Sequence, residues 1–381
     1  MRFRKLLFGV LFAVLILFIL FLGKETLMGK RETVMEDSTN HTYEMRLLPL
    51  VEIEGNQKRM VVRRKYSSDE FQAGMNILMY GHPDMMEIHS VFEHLRSLGI
   101  NSVALNIPFF QSDWQANEVS TSQVDTPTRK ELREIIELAH ASGLSVMIRP
   151  IMDEQAFSSS NRWRGQIEPS NPNQWFDSYQ ELILSYATLA EHTKAKSLNI
   201  GTELSSMQHQ YQERWKELIE NVRRVYNGEL LYSFNYDTVS DIPSIKFVEL
   251  LDYIGIDAYF SLNLPDKASI EMLEEEWERQ LNQLHESLWN ESIVVTEVGI
   301  VPVAGAHRTP YAWDFPNGTY DAQAQSNYYE ATFQVWKPKV DGLYWWSVSI
   351  GGDSNEISYS PLSLPAEEVI KKHYLLGQQD S

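Results

Sequence analysis

Between Ala73 and Tyr374 the chain repeats one unit: a short apolar, often β-branched run, then a longer stretch whose apolar residues recur at helical spacing. The strand-like runs are Ala73–Tyr80, Ser102–Ile107, Ser145–Pro150, Leu198–Glu203, Leu230–Asn235, Tyr253–Tyr259, Ile293–Glu297 and Leu343–Val348. Helical stretches follow at Asp84–Leu98, Thr128–Ala141, Asn173–His192, Gln210–Tyr226, a short Ser244–Leu250, Ile270–Trp289, Gln323–Val335 and Pro365–Tyr374. Such alternation gives a parallel sheet covered by helices, because each parallel connection must cross back over the sheet. Eight units are the number that closes a single (β/α)8 TIM barrel. The rival reading is an open doubly wound sheet. It lacks its phosphate cradle here, since no Gly-x-Gly-x-x-Gly turn follows the first strand and no Walker-type loop is present. Gly99, Gly143 and Gly228 fall where helices should stop.

Ahead of the barrel, Arg2, Arg4 and Lys5 precede an apolar run from Leu6 to Gly23. That run is long for a signal-peptide core and barely enough to cross a bilayer. Residues 1–28 therefore read as a hydrophobic membrane segment, either a retained signal anchor or a cleaved signal peptide. Both place the barrel outside the cytoplasm, membrane-anchored or secreted. Residues 29–59 are polar without a periodic apolar face and read as a linker or arm, leaving 60–381 for the barrel. Lys plus Arg number 33 against 52 Asp plus Glu, a net charge of −19, which argues against nucleic acid as a partner. The chain has no cysteine, so disulfides, thiolate metal sites and Cys nucleophiles are excluded. The sequence leaves the oligomeric state open.

Barrel chemistry takes place at the C-terminal ends of the strands, so acids there are the informative ones. Leu198-Asn-Ile-Gly-Thr-Glu203 ends the fourth strand in a glutamate, and Ile293-Val-Val-Thr-Glu297 ends the seventh in another. Strands four and seven face each other across a narrow mouth, so both acids can approach one bond. Two carboxyls about 5 to 5.5 Å apart make a retaining glycosidase, and a gap of about 6.5 to 9.5 Å makes an inverting one. Asp153, Glu154, Asp237 and Asp353 also follow strands and read as loop or subsite groups. Strand alternation turns Asp257 toward the barrel interior if Tyr259 points into the mouth. A buried carboxylate needs a partner, for which Arg149 on strand three is the candidate. His82, His209 and His307 have no metal-ligand spacing, no Gly-x-Ser-x-Gly elbow is present, and neither metal nor cofactor is expected.

With these residues in place the chain resembles the glycoside hydrolases of clan A, and more closely glycoside hydrolase family 113. The resemblance runs from about Gly74 to Leu375 on Gly74-Met-Asn76, Trp163-Arg-Gly165, Trp175-Phe-Asp-Ser-Tyr179, Gly201-Thr-Glu-Leu204, Asn235-Tyr-Asp237, Ile254-Gly-Ile-Asp-Ala-Tyr259, Thr296-Glu-Val-Gly299 and Gly342-Leu-Tyr-Trp-Trp346. It implies a retaining hydrolase of β-1,4-mannosidic bonds in mannan-type polysaccharides, with Glu203 as acid/base and Glu297 as nucleophile. It also implies Tyr259 beside the nucleophile and an aromatic from strand eight, Trp346 in preference to Trp345, flooring the sugar site. Thr202 stands where clan A usually has an Asn that holds the sugar 2-hydroxyl, Asn235-Tyr236 replaces an expected Asn-Trp, and Ile151 occupies a position where a His is expected.

The substrate is then a neutral polysaccharide or oligosaccharide, gripped by aromatic stacking and a few aimed polar groups. Trp163, Trp313 and Trp346 are the stacking candidates. Asn76, Asn106 and Asn235 are the hydroxyl contacts, and Arg149 is counted with the polar candidates. Trp175, Trp215 and Trp336 lie in helices and read as core. The alternatives are the same mechanism on another β-glycan, such as glucan or a cell-wall sugar, and a non-catalytic carbohydrate-binding barrel.

Overall fold

The computed structural model describes residues 44–45, 64–65, 70–350 and 357–375, all within one compact unit that begins at Tyr43. The apolar leader and the loop acid Asp353 lie outside the described residues. Of the 29–59 arm only Glu44–Met45 is described, paired antiparallel with Arg64–Lys65. Among the described residues no helix is long and apolar enough to cross a membrane.

Eight parallel strands close on themselves, a (β/α)8 TIM barrel. They are β1 (Gln72–Leu78), β2 (Ser102–Phe109), β3 (Ser145–Met152), β4 (Ser197–Thr202), β5 (Glu229–Asn235), β6 (Tyr253–Asp257), β7 (Ile293–Val298) and β8 (Gly342–Ser349). Each pairs with the next, and β8 returns to β1. The outer ring holds α1 (Met85–Ser97), α2 (Arg129–Ala141), α3 (Pro172–Thr193), α4 (Gln212–Arg223), α5 (Ile270–Leu281), α6 (Ala322–Trp336) and α7 (Pro365–Tyr374).

Local chemistry sets the helix starts. Asp84 accepts from the backbone N–H of Met86, Thr128 and Glu131 form a reciprocal capping box, and Asn171 caps α3 ahead of Pro172. Two helix expectations need correction. Ser244–Leu250 is 3-10 structure, continuing a 3-10 segment Tyr236–Ser244 in which Pro243 removes a backbone donor. The stretch Ile270–Trp289 breaks after Leu281 and resumes only as a 3-10 turn, Glu286–Asn290.

Gly99 and Gly143 do end their helices at φ of 86° and 74°. Gly228 does not adopt a left-handed conformation. It is small because a Cβ there would lie 2.1 Å from the Tyr226 hydroxyl.

Trp175, Trp215 and Trp336 are fully buried between helices and barrel. Inside the barrel, the N-terminal halves of the strands are filled by an apolar layer of Ala104, Met147, Leu231, Tyr253, Val294 and Tyr344. That plug makes the opposite end of the barrel the place where polar groups can gather.

Candidate active site

Alternate residues of a barrel strand face inward, so two steps past the apolar layer the same strands present Asn106, Arg149 and Thr296 to the interior. Arg149 is completely buried and donates from Nη2 to both carboxylate oxygens of Asp257, at 3.0 and 2.9 Å. The Thr296 hydroxyl donates to Asp257 Oδ1 at 2.7 Å. Arg149 Nη1 donates to Asn106 Oδ1 at 2.7 Å and lies 2.5 Å from Glu297 Oε1. Asn106 in turn donates to Asn76 Oδ1 at 2.9 Å, and Asn76 donates to the Thr296 carbonyl at 2.9 Å. The expected Arg149–Asp257 pair is therefore present, within a larger network than its two members.

This network corrects three substrate-contact expectations. Asn76, Asn106 and Arg149 are wholly buried beneath the cleft and spend their polar atoms on one another, on Thr296 and on the two acids. Arg149 is the single cation between two buried carboxylates, and removing one member of such a set leaves uncompensated charge. Arg149→Met is expected to destabilise the protein by about 3 to 5 kcal/mol, read from urea unfolding. A loss below about 1 kcal/mol would show that the buried acids do not depend on this cation.

Above the network, Glu297 near the end of β7 accepts from the Tyr259 hydroxyl at 2.8 Å on Oε2, while Arg149 approaches its other oxygen. Glu203 follows β4 directly and takes the left-handed conformation, φ 54°. That costs a non-glycine residue roughly 1 to 2 kcal/mol. The turn is held by its N–H donating to the Ser233 carbonyl at 2.9 Å. Asn235 Nδ2 donates to Glu203 Oε1 at 2.8 Å, and Arg164 Nη1 is 3.4 Å from Oε2.

Burial pushes the Glu203 carboxyl up to about 7; Arg164 opposes the shift and the negative charge of Glu297 adds to it. Arg164 is paired with Glu154, whose Oε1 lies 2.8 Å from Nε. Thr202 is buried and bonded to Asn199, so it does not replace the missing Asn; the amide nearest the carboxyl is that of Asn235.

Both glutamates line one cavity of about 430 Å³. Seven of the expected site residues meet there: Glu203, Glu297, Tyr259, Asn235, Trp163, Trp313 and Trp346. Trp346 faces the cavity, whereas Trp345 is buried outside the barrel, stacked on Tyr329 of α6 at 3.7 Å. Trp313 is 59% exposed and packs edge-on against Trp346 and Tyr359. Trp163 lies over Gly165, where a Cβ would come within 2.3 Å of the indole.

Sequence reasoning missed Arg164, Tyr311 and Tyr359 as lining groups. Arg164 had a signal, since it is one of two arginines flanking Trp163, a cleft candidate, in the loop that follows Glu154. Among the described residues no group of three His, Cys, Asp or Glu is placed to hold a metal ion.

The sequence model of Glycoside Hydrolase Family 113 matches residues 81–355, most of the chain. The chain belongs to glycoside hydrolase family 113. As a member of that family it is a glycoside hydrolase. No curated protein sequence matches it.

Solved structures with the same fold include a family 113 β-1,4-mannanase complex, 22% identical, TM-score 0.69, covering 80% of this chain and 99% of that one. Another is the family 113 β-mannanase of Alicyclobacillus acidocaldarius in complex with ManMIm, at 23% identity and TM-score 0.67 over 80% of this chain and 97% of that one. A third, a family 113 β-1,4-mannanase, is 24% identical with TM-score 0.68 over 80% and 99%.

Proposed function

We propose that this family 113 protein cleaves β-1,4-mannosidic bonds in mannan-type polysaccharides by double displacement, with Glu203 as acid/base and Glu297 as nucleophile. The observation that carries the reading is the unequal setting of two carboxyls on one cleft. Glu203 is buried and pushed toward neutrality, whereas Glu297 meets the Arg149 guanidinium on one oxygen and the Tyr259 hydroxyl on the other. The mannanase structures of the same family support the choice of mannan.

In the first step the Glu297 carboxylate attacks the anomeric carbon, the glycosidic C–O bond breaks, and the Glu203 proton goes to the departing oxygen. In the second, water attacks the glycosyl ester, its proton passes to the Glu203 carboxylate, and Glu297 leaves as an anion. The Tyr259 hydroxyl and Arg149 stabilise Glu297 both before attack and as it departs. Trp346 offers an apolar face to the sugar being transferred.

We further propose that the barrel works outside the cytoplasm, anchored by or secreted through residues 1–28. The support is the basic-flanked apolar run from Leu6 to Gly23. Reducing-end release from mannan, glucan and xylan tests the substrate: kcat/KM is expected to be highest on mannan. A preference for glucan or xylan would overturn the mannan reading, and a wild type that cuts no β-glycan would favour a binding barrel.

A further inference from the structure

Four carboxylates line the cleft, and three of them are held by side chains: Glu203 by Asn235 and Arg164, Glu154 by Arg164, and Glu297 by Tyr259 and Arg149. Asp237 is the exception. Among the described residues no ion pair and no side-chain hydrogen bond takes up its exposed carboxylate. Its position is nevertheless fixed, because its backbone N–H donates to Asn235 Oδ1 at 3.2 Å, and the amide of the same Asn235 donates to Glu203. The turn that aims Glu203 thus also sets where Asp237 stands.

Beside it, the Tyr236 ring runs parallel to that of Tyr311, 8° between planes and 6.1 Å between centroids, with Phe260 edge-on behind at 5.6 Å. Tyr311 is 49% exposed, and both tyrosines line the cleft. Stacked aromatic rings beside a carboxylate that, among the described residues, no other side chain takes up suit a neutral sugar, whose C–H face stacks while its hydroxyl edge donates.

We propose that Tyr236, Tyr311 and Asp237 form the subsite for the sugar on the leaving-group side of the cleaved bond, with Asp237 accepting from its hydroxyls. The assignment rests on the reading of Glu203 as acid. The group that protonates the departing oxygen must sit against the departing sugar, and Asn235, which opens the 235–237 segment, donates to Glu203. Tyr311 reaches from the loop after β7 to stack on Tyr236, whereas Trp313, two residues further along that loop, turns to Trp346 and Tyr359, a separate wall that is left for the transferred sugar.

The test compares kcat/KM of wild type, Asp237→Ala, Asp237→Asn and Tyr311→Ala on mannotetraose and on a dinitrophenyl β-mannobioside. The aryl leaving group lacks the hydroxyls that Asp237 would bind and departs without a proton, so the ratio of the two losses isolates the subsite from any general damage to the fold. The oligosaccharide rate is expected to fall roughly 10- to 100-fold more than the aryl rate in Asp237→Ala, the loss of hydrogen bonds to a charged acceptor. Asp237→Asn is expected to fall between that variant and wild type, and Tyr311→Ala is expected to shift the ratio in the same direction. Equal losses on both substrates, or none on either, would overturn the subsite. A wild type that cleaves only the corresponding glucosides would instead overturn the mannan reading, and the subsite would be judged by the same ratio on that pair. Cleavage of neither pair would overturn both.

Discussion

Glu297→Ala is expected to lower kcat/KM on mannan by on the order of 10⁴- to 10⁶-fold, the scale of loss when a covalent nucleophile is deleted. The fold should survive, because Arg149 keeps its bidentate partner Asp257 and its bond to Asn106. Azide should then enter the space left by the carboxylate and attack the anomeric carbon of a reactive aryl mannoside. The product would be an azide of inverted configuration, identified by NMR. Residual activity within about tenfold of wild type would remove Glu297 from the nucleophile role, since deleting a nucleophile costs far more than that.

Glu203→Ala is expected to cost about 10² to 10⁴-fold on mannan, the range of general acid–base contributions. A dinitrophenyl mannoside should lose much less in its first step, because that leaving group needs no proton. The second step then lacks its base, so a burst of dinitrophenolate followed by a slow steady state is the expected kinetic trace. The pH dependence follows from the same side chain. Glu203 must enter the reaction protonated, and its carboxyl is raised from about 4.5 to about 7, so wild-type kcat/KM should fall as pH rises through about 7. Glu203→Gln should lack that limb.

Stability carries the same signature. A raised folded-state pKa means that the proton stabilises the folded chain below the ordinary glutamate range, and this contribution is lost as pH climbs through about 7. Glu203→Gln does not titrate there, so it should gain stability relative to wild type across that window.

The eight-strand count was legible because period-two apolar runs and 3.6-residue helical spacing are local properties of the chain. The two glutamates were legible because an acid ending an apolar barrel strand has only one end of the barrel to face. Asp257 and Arg149 could be paired in advance because a carboxylate turned into a barrel interior has to find a cation.

Depth along the barrel axis was harder. Alternation says that Asn76 and Asn106 point inward, but not whether they reach the cleft or stop one layer below it, where the structure has them. Tyr311 and Arg164 lie in loops without periodicity. They reach the cleft by contacts distant in sequence, Tyr311 on Tyr236 and Arg164 on Glu154 and Glu203. The expected short helix Ser244–Leu250 instead continues the 3-10 segment Tyr236–Ser244 as a second 3-10 stretch, a difference of one residue in hydrogen-bond spacing that apolar periodicity over so few residues does not resolve.

The central claim is that two acids from opposite sides of one barrel mouth act in turn on a single glycosidic bond, one of them through a covalent bond to the sugar. Incubation with a 2-deoxy-2-fluoro-β-mannosyl fluoride, followed by peptide mass spectrometry, tests it most directly. The account predicts one added fluoromannosyl group, carried on the peptide that contains Glu297. No label, or label on a peptide carrying a different acid, would contradict it.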